Sequence, residues 1–176
     1  IEKLEKGEDF YDTPNFWFKK KDGSIVKNKM GSLVKNLDDI PFPDRKLLYE
    51  ADSKLRARGS KLFMSNRGCP YKCTYCFNHA YNKLTKESGD MMRYRSVDSI
   101  LREIKEVKDN YFIDRVLIDD DIFLLKPKGW LEEFSERYPK EIGIPLHCNV
   151  RPNMVSERVG RLLHKSNCTH VYMGIE

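Results

Sequence analysis

From residue 61 onward the chain alternates short apolar runs of strand length with stretches of helical period, and that alternation limits the possible folds more than any other feature of its 176 residues. Leu62-Phe63-Met64 reads as a strand that runs into the polar loop Ser65-Asn66-Arg67-Gly68. Ser96 is placed to cap a helix whose apolar positions Val97, Ile100, Leu101, Ile104 and Val107 share one face, with Asp98 and Arg102 paired one turn apart. Val116-Leu117-Ile118 is a second strand, ending in Asp119-Asp120-Asp121. Pro127 suits the first turn of a second helix that carries Trp130, Leu131, Phe134 and Tyr138 on one side. Leu146 to Val150 is a third strand, and Ser156 opens a third helix through Val159, Leu162 and Leu163, which Asn167 is suited to end. A fourth strand is predicted over His170 to Ile175. Strands separated by helices run the same way, so the expected fold class is α/β with parallel pairing and right-handed crossovers.

Such a pattern fits either an open α/β sheet or the first half of a barrel, and in both the ligands gather at the C-terminal ends of the strands. The polar clusters of this sequence fall at those ends: the cysteine-bearing loop after the first strand, the aspartates after the second, Asn149 and Arg151 after the third, and Glu176 after the fourth. Residues 1–60 have a different character and are expected to form an annex before a barrel-like segment over 61–176. Phe16-Trp17-Phe18 and Ser24-Ile25-Val26 flank Asp22-Gly23, a hairpin signature. Leu37-Asp38-Asp39-Ile40-Pro41-Phe42-Pro43 carries two prolines that forbid regular structure and suggest a surface connector, and Arg45 to Arg58 is expected to be a short helix.

Composition narrows the function. With 40% hydrophobic and 34% charged residues the chain can bury a core. The net charge of +5 is spread among interleaved acids, and the tight cluster Lys19-Lys20-Lys21 sits at a turn, so no nucleic-acid surface is expected. No apolar run approaches the roughly 18 residues of a membrane span, and no basic start with an apolar stretch behind it opens the chain. A cytoplasmic protein is expected, and the start at Ile1 instead of Met suggests an excerpt of something longer.

Five cysteines, three of them within eight residues, fit reduced metal-binding thiols better than a secreted disulfide framework. Arg67-Gly68-Cys69-Pro70-Tyr71-Lys72-Cys73-Thr74-Tyr75-Cys76-Phe77 is a Cys-x3-Cys-x2-Cys array. Soft thiolates at this spacing suit an iron–sulfur cluster, and three ligands on a four-iron cluster leave one iron open to bind a substrate. Two other readings stand beside this one. The three cysteines share a helical face and could be core thiols, although Gly68 and Pro70 oppose a helix there. His79 could complete a Cys3His zinc set in a structural or nucleic-acid module. Cys148 and Cys168 lie in apolar strand contexts and are expected to be core thiols; His147 and His170 are expected to be satisfied by hydrogen bonds, and His164 to face solvent.

The cysteine array after a first strand, with aromatic Tyr75 before its last cysteine, resembles the signature of radical S-adenosylmethionine enzymes. The connector Leu37 to Pro43, Arg67-Gly68-Cys69-Pro70, Arg95-Ser96, Asp120-Asp121-Ile122-Phe123 and Gly174-Ile175-Glu176 resemble the cobalamin-binding branch of that family. The resemblance implies the first half of a partial (βα)6, TIM-like barrel, with strands five and six missing and with low activity in the excerpt alone. It implies a [4Fe–4S] cluster on Cys69, Cys73 and Cys76, whose open iron binds S-adenosylmethionine, and radical chemistry leading to methyl transfer or carbon-skeleton rearrangement on a small-molecule substrate. A reductant such as flavodoxin or ferredoxin would supply the electron, and a cobalamin, if used, would be bound upstream of Ile1. By the same resemblance Tyr75 lies near the adenine, Asp120 or Asp121 meets the cofactor's ammonium, Arg151 pairs with its carboxylate and Glu176 accepts from the ribose. The family's usual Gly-Gly-Glu after the second strand is Asp119-Asp120-Asp121 here, which leaves open which aspartate serves.

Overall fold

The computed structural model describes residues 1–175. In chain order its elements are α1 (Glu2–Glu5), β1 (Trp17–Lys19), β2 (Ile25–Lys27), α2 (Arg45–Ala51), α3 (Ser53–Ala57), β3 (Ser60–Phe63), β4 (Asn66–Arg67), α4 (Asn78–Leu84), β5 (Arg93–Tyr94), α5 (Val97–Asn110), β6 (Arg115–Ile118), α6 (Trp130–Glu141), β7 (Leu146–Val150), α7 (Glu157–Lys165) and β8 (Cys168–Met173). Two compact units share the chain: residues 1–35 with 71–91, and residues 36–70 with those from 92 onward.

The larger unit is the α/β body. Its sheet has the order β3-β6-β7-β8, every pair parallel. Strand residues alternate between two faces. Phe63, Val116, Ile118, Leu146, Cys148 and Val150 point to one of them and pack with the apolar stripes of α5, α6 and α7 into a single core. All five apolar positions read on α5 are buried, and Ser96 accepts the Ser99 amide as its cap. On α6 the rings of Trp130, Phe134 and Tyr138 form a ladder, with centroids 5.1 and 4.9 Å apart, and Phe123 meets Phe134 edge-on at 5.6 Å. Ser156 caps α7 through the Val159 amide, and Asn167 ends it in the left-handed region at φ 56°.

Several boundaries differ from expectation; the first strand, for one, runs Ser60–Phe63 and not Leu62 to Met64. The stretch after Asp44 is two helices instead of one, because Asp52 adopts an extended backbone and uses its carboxylate to cap α3 through the amides of Lys54 and Leu55. Pro127 precedes α6 instead of opening it, since Gly129 at φ 87° turns the chain first. The last strand begins at Cys168, earlier than expected.

The connector is less irregular than its prolines suggest: Leu37–Asp39 is a 3-10 turn capped by Asn36. The segment that follows it is stitched to the sheet by charge. Glu103, on α5, is almost fully buried and binds Arg45 of α2 at 2.8 Å and Arg95 on its other oxygen. Arg45 also donates to the Leu62 carbonyl at 2.7 Å, and Arg95 to the Met64 carbonyl at 3.2 Å, so the guanidinium pair grips the end of β3. A cavity of about 390 Å³ lies among the connector, β3 and β4, with Pro41, Phe42, Leu62, Met64, Arg67 and Asp119 in its lining.

The smaller unit contains the expected hairpin. β1 and β2 pair antiparallel from Trp17 opposite Lys27 to Lys19 opposite Ile25, and the Asp22 carboxylate closes the turn by accepting from Ser24 N at 2.9 Å. Phe18 packs edge-on against Phe10 and Tyr11 at 5.3 and 5.5 Å. Among the described residues, no helix is long and apolar enough to cross a membrane.

Candidate functional site

The cross-strand register of the larger unit lines up two rows on the sheet face opposite the helices. Leu62, Leu117, His147 and His170 are neighbours across β3, β6, β7 and β8 and form the lower row. One step toward the C-terminal ends, Asn149 pairs with Tyr172, and Asp119 joins them through a 3.2 Å bond from the Asn149 amide. Asp119 follows directly on β6, with its backbone amide on the Phe63 carbonyl at 2.8 Å, and its side chain is exposed. His147 is buried, with Nδ1 3.2 Å from the Tyr172 hydroxyl. Burial in the first place, and then His170 and Arg115, hold the His147 imidazole below its ordinary pKa, so it is neutral at pH 7.

The three aspartates after β6 have separate fates. Asp119 and Asp121 are exposed, but Asp120 is fully buried. One Asp120 oxygen accepts the backbone amides of Ser65 and Asn66 at 2.7 and 2.9 Å; the other accepts the Ser65 hydroxyl and the Lys126 ammonium, the latter at 2.8 Å. Its carboxylate is therefore saturated by groups of the protein itself. Lys126 is equally sequestered, with its ammonium 5.2 and 5.1 Å from the ring centres of Phe123 and Trp130. Burial lowers its pKa, and the adjacent Asp120 works against that shift. Asn66 adds its side-chain amide to the carbonyls of Ile122 and Leu125 at 3.1 and 3.3 Å. No sequence signal marked Lys126, since a lone lysine before a proline is ordinarily solvated.

These contacts fasten the loop after β6 to the start of the cysteine loop. Asn66 and Arg67, read as plain loop, instead make the two-residue ladder of β4 with β5. Gly68 at φ 90° then turns the backbone through a region a side chain rarely adopts, and Cys69 follows, 8% exposed. Cys69 belongs to the larger unit. Cys73 and Cys76 belong to the smaller one, where the Cys76 amide closes a turn on the Cys73 carbonyl at 3.0 Å just before α4. All five thiols are free of disulfides. Among the described residues no three His, Cys, Asp or Glu side chains already converge on a metal-sized point, so the fit to a cluster rests on donor chemistry: three reduced thiols on one short loop. His79 turns Nδ1 to the Cys76 carbonyl at 2.6 Å.

Of the remaining expected site residues, Tyr75 is 68% exposed. Arg151 follows β7 and is partly buried, with Nε 3.4 Å from the Asn153 side chain. Glu176 lies outside the described residues. Cys148 is buried and Cys168 partly so, with their sulfurs 4.0 Å apart in the larger unit.

Comparisons with known proteins agree with this architecture. The chain is 28% identical over 158 residues to an uncharacterized methyltransferase of Pyrococcus horikoshii, covering 89% of this chain and 33% of that protein. It is 31% identical over 126 residues to the cytidylyl-2-hydroxyethylphosphonate methyltransferase of Streptomyces wedmorensis, covering 66% of this chain and 22% of that enzyme. Among solved structures it is similar to the radical S-adenosylmethionine methyltransferase TsrM of Kitasatospora setae, whose structure contains cobalamin and a [4Fe-4S] cluster. The TM-score is 0.67 at 18% identity, over 98% of this chain and 35% of that one, a likeness of fold. The chain thus spans about a third of the length of the Pyrococcus protein and of TsrM. The four parallel strands and their helices are the corresponding part of a TIM-like barrel. The family described as the Radical SAM superfamily matches residues 64–176, from the end of β3 through the cysteine loop and all the later strands, and the chain belongs to that superfamily.

Proposed function

We propose that this chain is the cofactor-binding part of a radical S-adenosylmethionine methyltransferase, with Cys69, Cys73 and Cys76 as the ligands of a [4Fe–4S] cluster. The observation that carries the reading is the Cys-x3-Cys-x2-Cys loop at the C-terminal edge of a parallel sheet, inside the stretch matched by the superfamily. When bound, the cluster would supply one open iron for chelation and the electron that cleaves the sulfonium of S-adenosylmethionine. Methyl transfer is favoured because both curated relatives are named as methyltransferases.

The chain's own residues would orient the cofactor. Asp119 is the aspartate proposed to accept from its ammonium: it is exposed, stands at a strand end, and has its carboxylate aimed by Asn149. The four internal donors of Asp120 count against it in that role, and Asp121 is the alternative. Arg151 would pair with the methionyl carboxylate, Tyr75 would cover the adenine and so lose its exposure, and Glu176 would accept from the ribose. The electron would come from a flavodoxin or ferredoxin in a reducing cytoplasm that also keeps the thiols reduced, and a cobalamin, if used, would be held by sequence upstream of Ile1. The substrate would be a small molecule.

Anaerobic reconstitution with iron and sulfide should load about four irons per chain, and Cys→Ala at positions 69, 73 and 76 together should abolish loading. Zinc bound in place of iron, and lost with His79→Ala, would establish the Cys3His module instead. Release of 5′-deoxyadenosine, or transfer of a labelled methyl group, by the protein in its full length would test the reaction class.

A further inference from the structure

We infer that the buried Asp120–Lys126 pair is a positioning device that sets Cys69 and Asp119 at a fixed separation, so that one cofactor can reach the cluster and the strand-end carboxylate together. The inference rests on the iron–sulfur reading above. S-adenosylmethionine would be held at two points: by the cluster bound in part by Cys69, and by Asp119 at the end of β6. These residues sit on different loops, 50 positions apart in sequence. Residues so far apart in sequence keep a fixed spacing only if tertiary contacts tie their loops together, and both points must hold their places to within about half an ångström for such a site to work.

The Asp120 carboxylate binds both loops at once. It is the neighbour of Asp119, and it holds the backbone amides of Ser65 and Asn66, four and three residues before Cys69. A backbone amide cannot swing away as a side chain can, so these bonds fix the path of the chain itself. Lys126 completes the device from the far end of the same loop, closing residues 120–126 into a ring fastened by a buried charge pair. Phe123 and Trp130 wall the ammonium off from water, and Trp130 is held in turn by its indole N–H on the Arg95 carbonyl at 2.8 Å, next to the strand that pairs with β4. Asn66 repeats the connection with two further bonds to the 122–125 carbonyls. A pair serving stability alone needs only its own two charges; this one spends three of its four bonds on the start of the cysteine loop.

The test compares Asp120→Asn, Lys126→Met and Lys126→Arg with Leu163→Ala, a core variant on α7 chosen to lower thermal stability without touching either loop. All are reconstituted anaerobically, and three properties are read: iron and sulfide per chain, the electron paramagnetic resonance spectrum of the reduced cluster with and without S-adenosylmethionine, and the cofactor's Kd by calorimetry. The expected result is that Asp120→Asn and Lys126→Met raise the Kd about tenfold or more and blunt the spectral change on cofactor addition. Lys126→Arg should restore both, and Leu163→Ala should leave both unchanged at a comparable melting temperature. Wild-type Kd and spectra in Asp120→Asn and Lys126→Met would overturn the inference, as would equal losses in Leu163→Ala. Absence of any cluster in the wild-type protein would overturn the iron–sulfur reading itself, a separate outcome from loss confined to the variants.

Discussion

Glu103→Gln should destabilise the larger unit by about 3 kcal/mol, although Glu103 touches no proposed cofactor residue. Its side chain is 3% exposed and lies between two guanidiniums that are 13% and 11% exposed. Breaking a buried ion pair by removing one partner costs about 3–5 kcal/mol, because the charge left behind has neither water nor counter-ion. Here two arginines would be left, but each keeps other acceptors: Arg45 has the Leu62 carbonyl and the Tyr49 hydroxyl, and Arg95 has the Met64 and Ser99 carbonyls. Those bonds place the expected value at the low end. For a chain of this size each kcal/mol lowers Tm by about 2–4 °C, so the midpoint should fall by about 6–12 °C. Urea titration of wild type, Glu103→Gln, Arg45→Met and the double variant gives the cycle, and the Glu103 change should be milder once Arg45 is gone. A loss below about 1 kcal/mol would refute the reasoning, since that is the range of solvent-screened surface pairs. It would mean that α2 is not held to the sheet by this charge triad.

Asp119→Asn should weaken S-adenosylmethionine binding by about 1.5–3 kcal/mol, the worth of a hydrogen bond to a charged group, and calorimetry on the reconstituted protein would show it; an unchanged Kd would shift the role to Asp121. His147 is held below its unfolded pKa, so the unfolded chain takes up a proton that the folded chain refuses. Its contribution is complete above the unfolded value of about 6.5 and is lost as pH falls from there toward the lowered folded value. His147→Gln should therefore flatten the fall in urea midpoint between neutral and mildly acidic pH, and a slope identical to wild type would count against the burial argument. Replacing Cys148 and Cys168 together by Ser should leave iron and sulfide content unchanged while lowering stability, because a hydroxyl would enter the core at position 148; loss of half the iron from a folded protein would make them ligands.

The order of the sheet elements was legible because it is written in local periodicity. Leu146 to Val150 was placed as observed, and the α5 stripe was complete, since a helix facing one sheet must repeat its apolar residues every turn. Boundaries were missed where one residue's backbone decided them: Gly129 delays α6, and Asp52 splits the helix after Asp44. The fate of the aspartates was not legible at all. Three identical side chains in a row carry no local mark of which will be buried, and the answer depends on amides 54 and 55 positions away.

By itself, then, the sequence determined the alternating α/β pattern, the caps at Ser96 and Ser156, and a thiol spacing whose chemistry points to an iron–sulfur cluster, because propensity, period and donor type act over a few residues. Tertiary structure alone decided that Asp120 turns inward to Ser65 and Asn66 while Asp119 stays exposed, that Lys126 is buried as its partner, and that Glu103 is buried between Arg45 and Arg95. The physical reason is common to all three: a charged side chain is buried only where the fold brings a counter-charge and donors to it, and those partners come from distant parts of the chain.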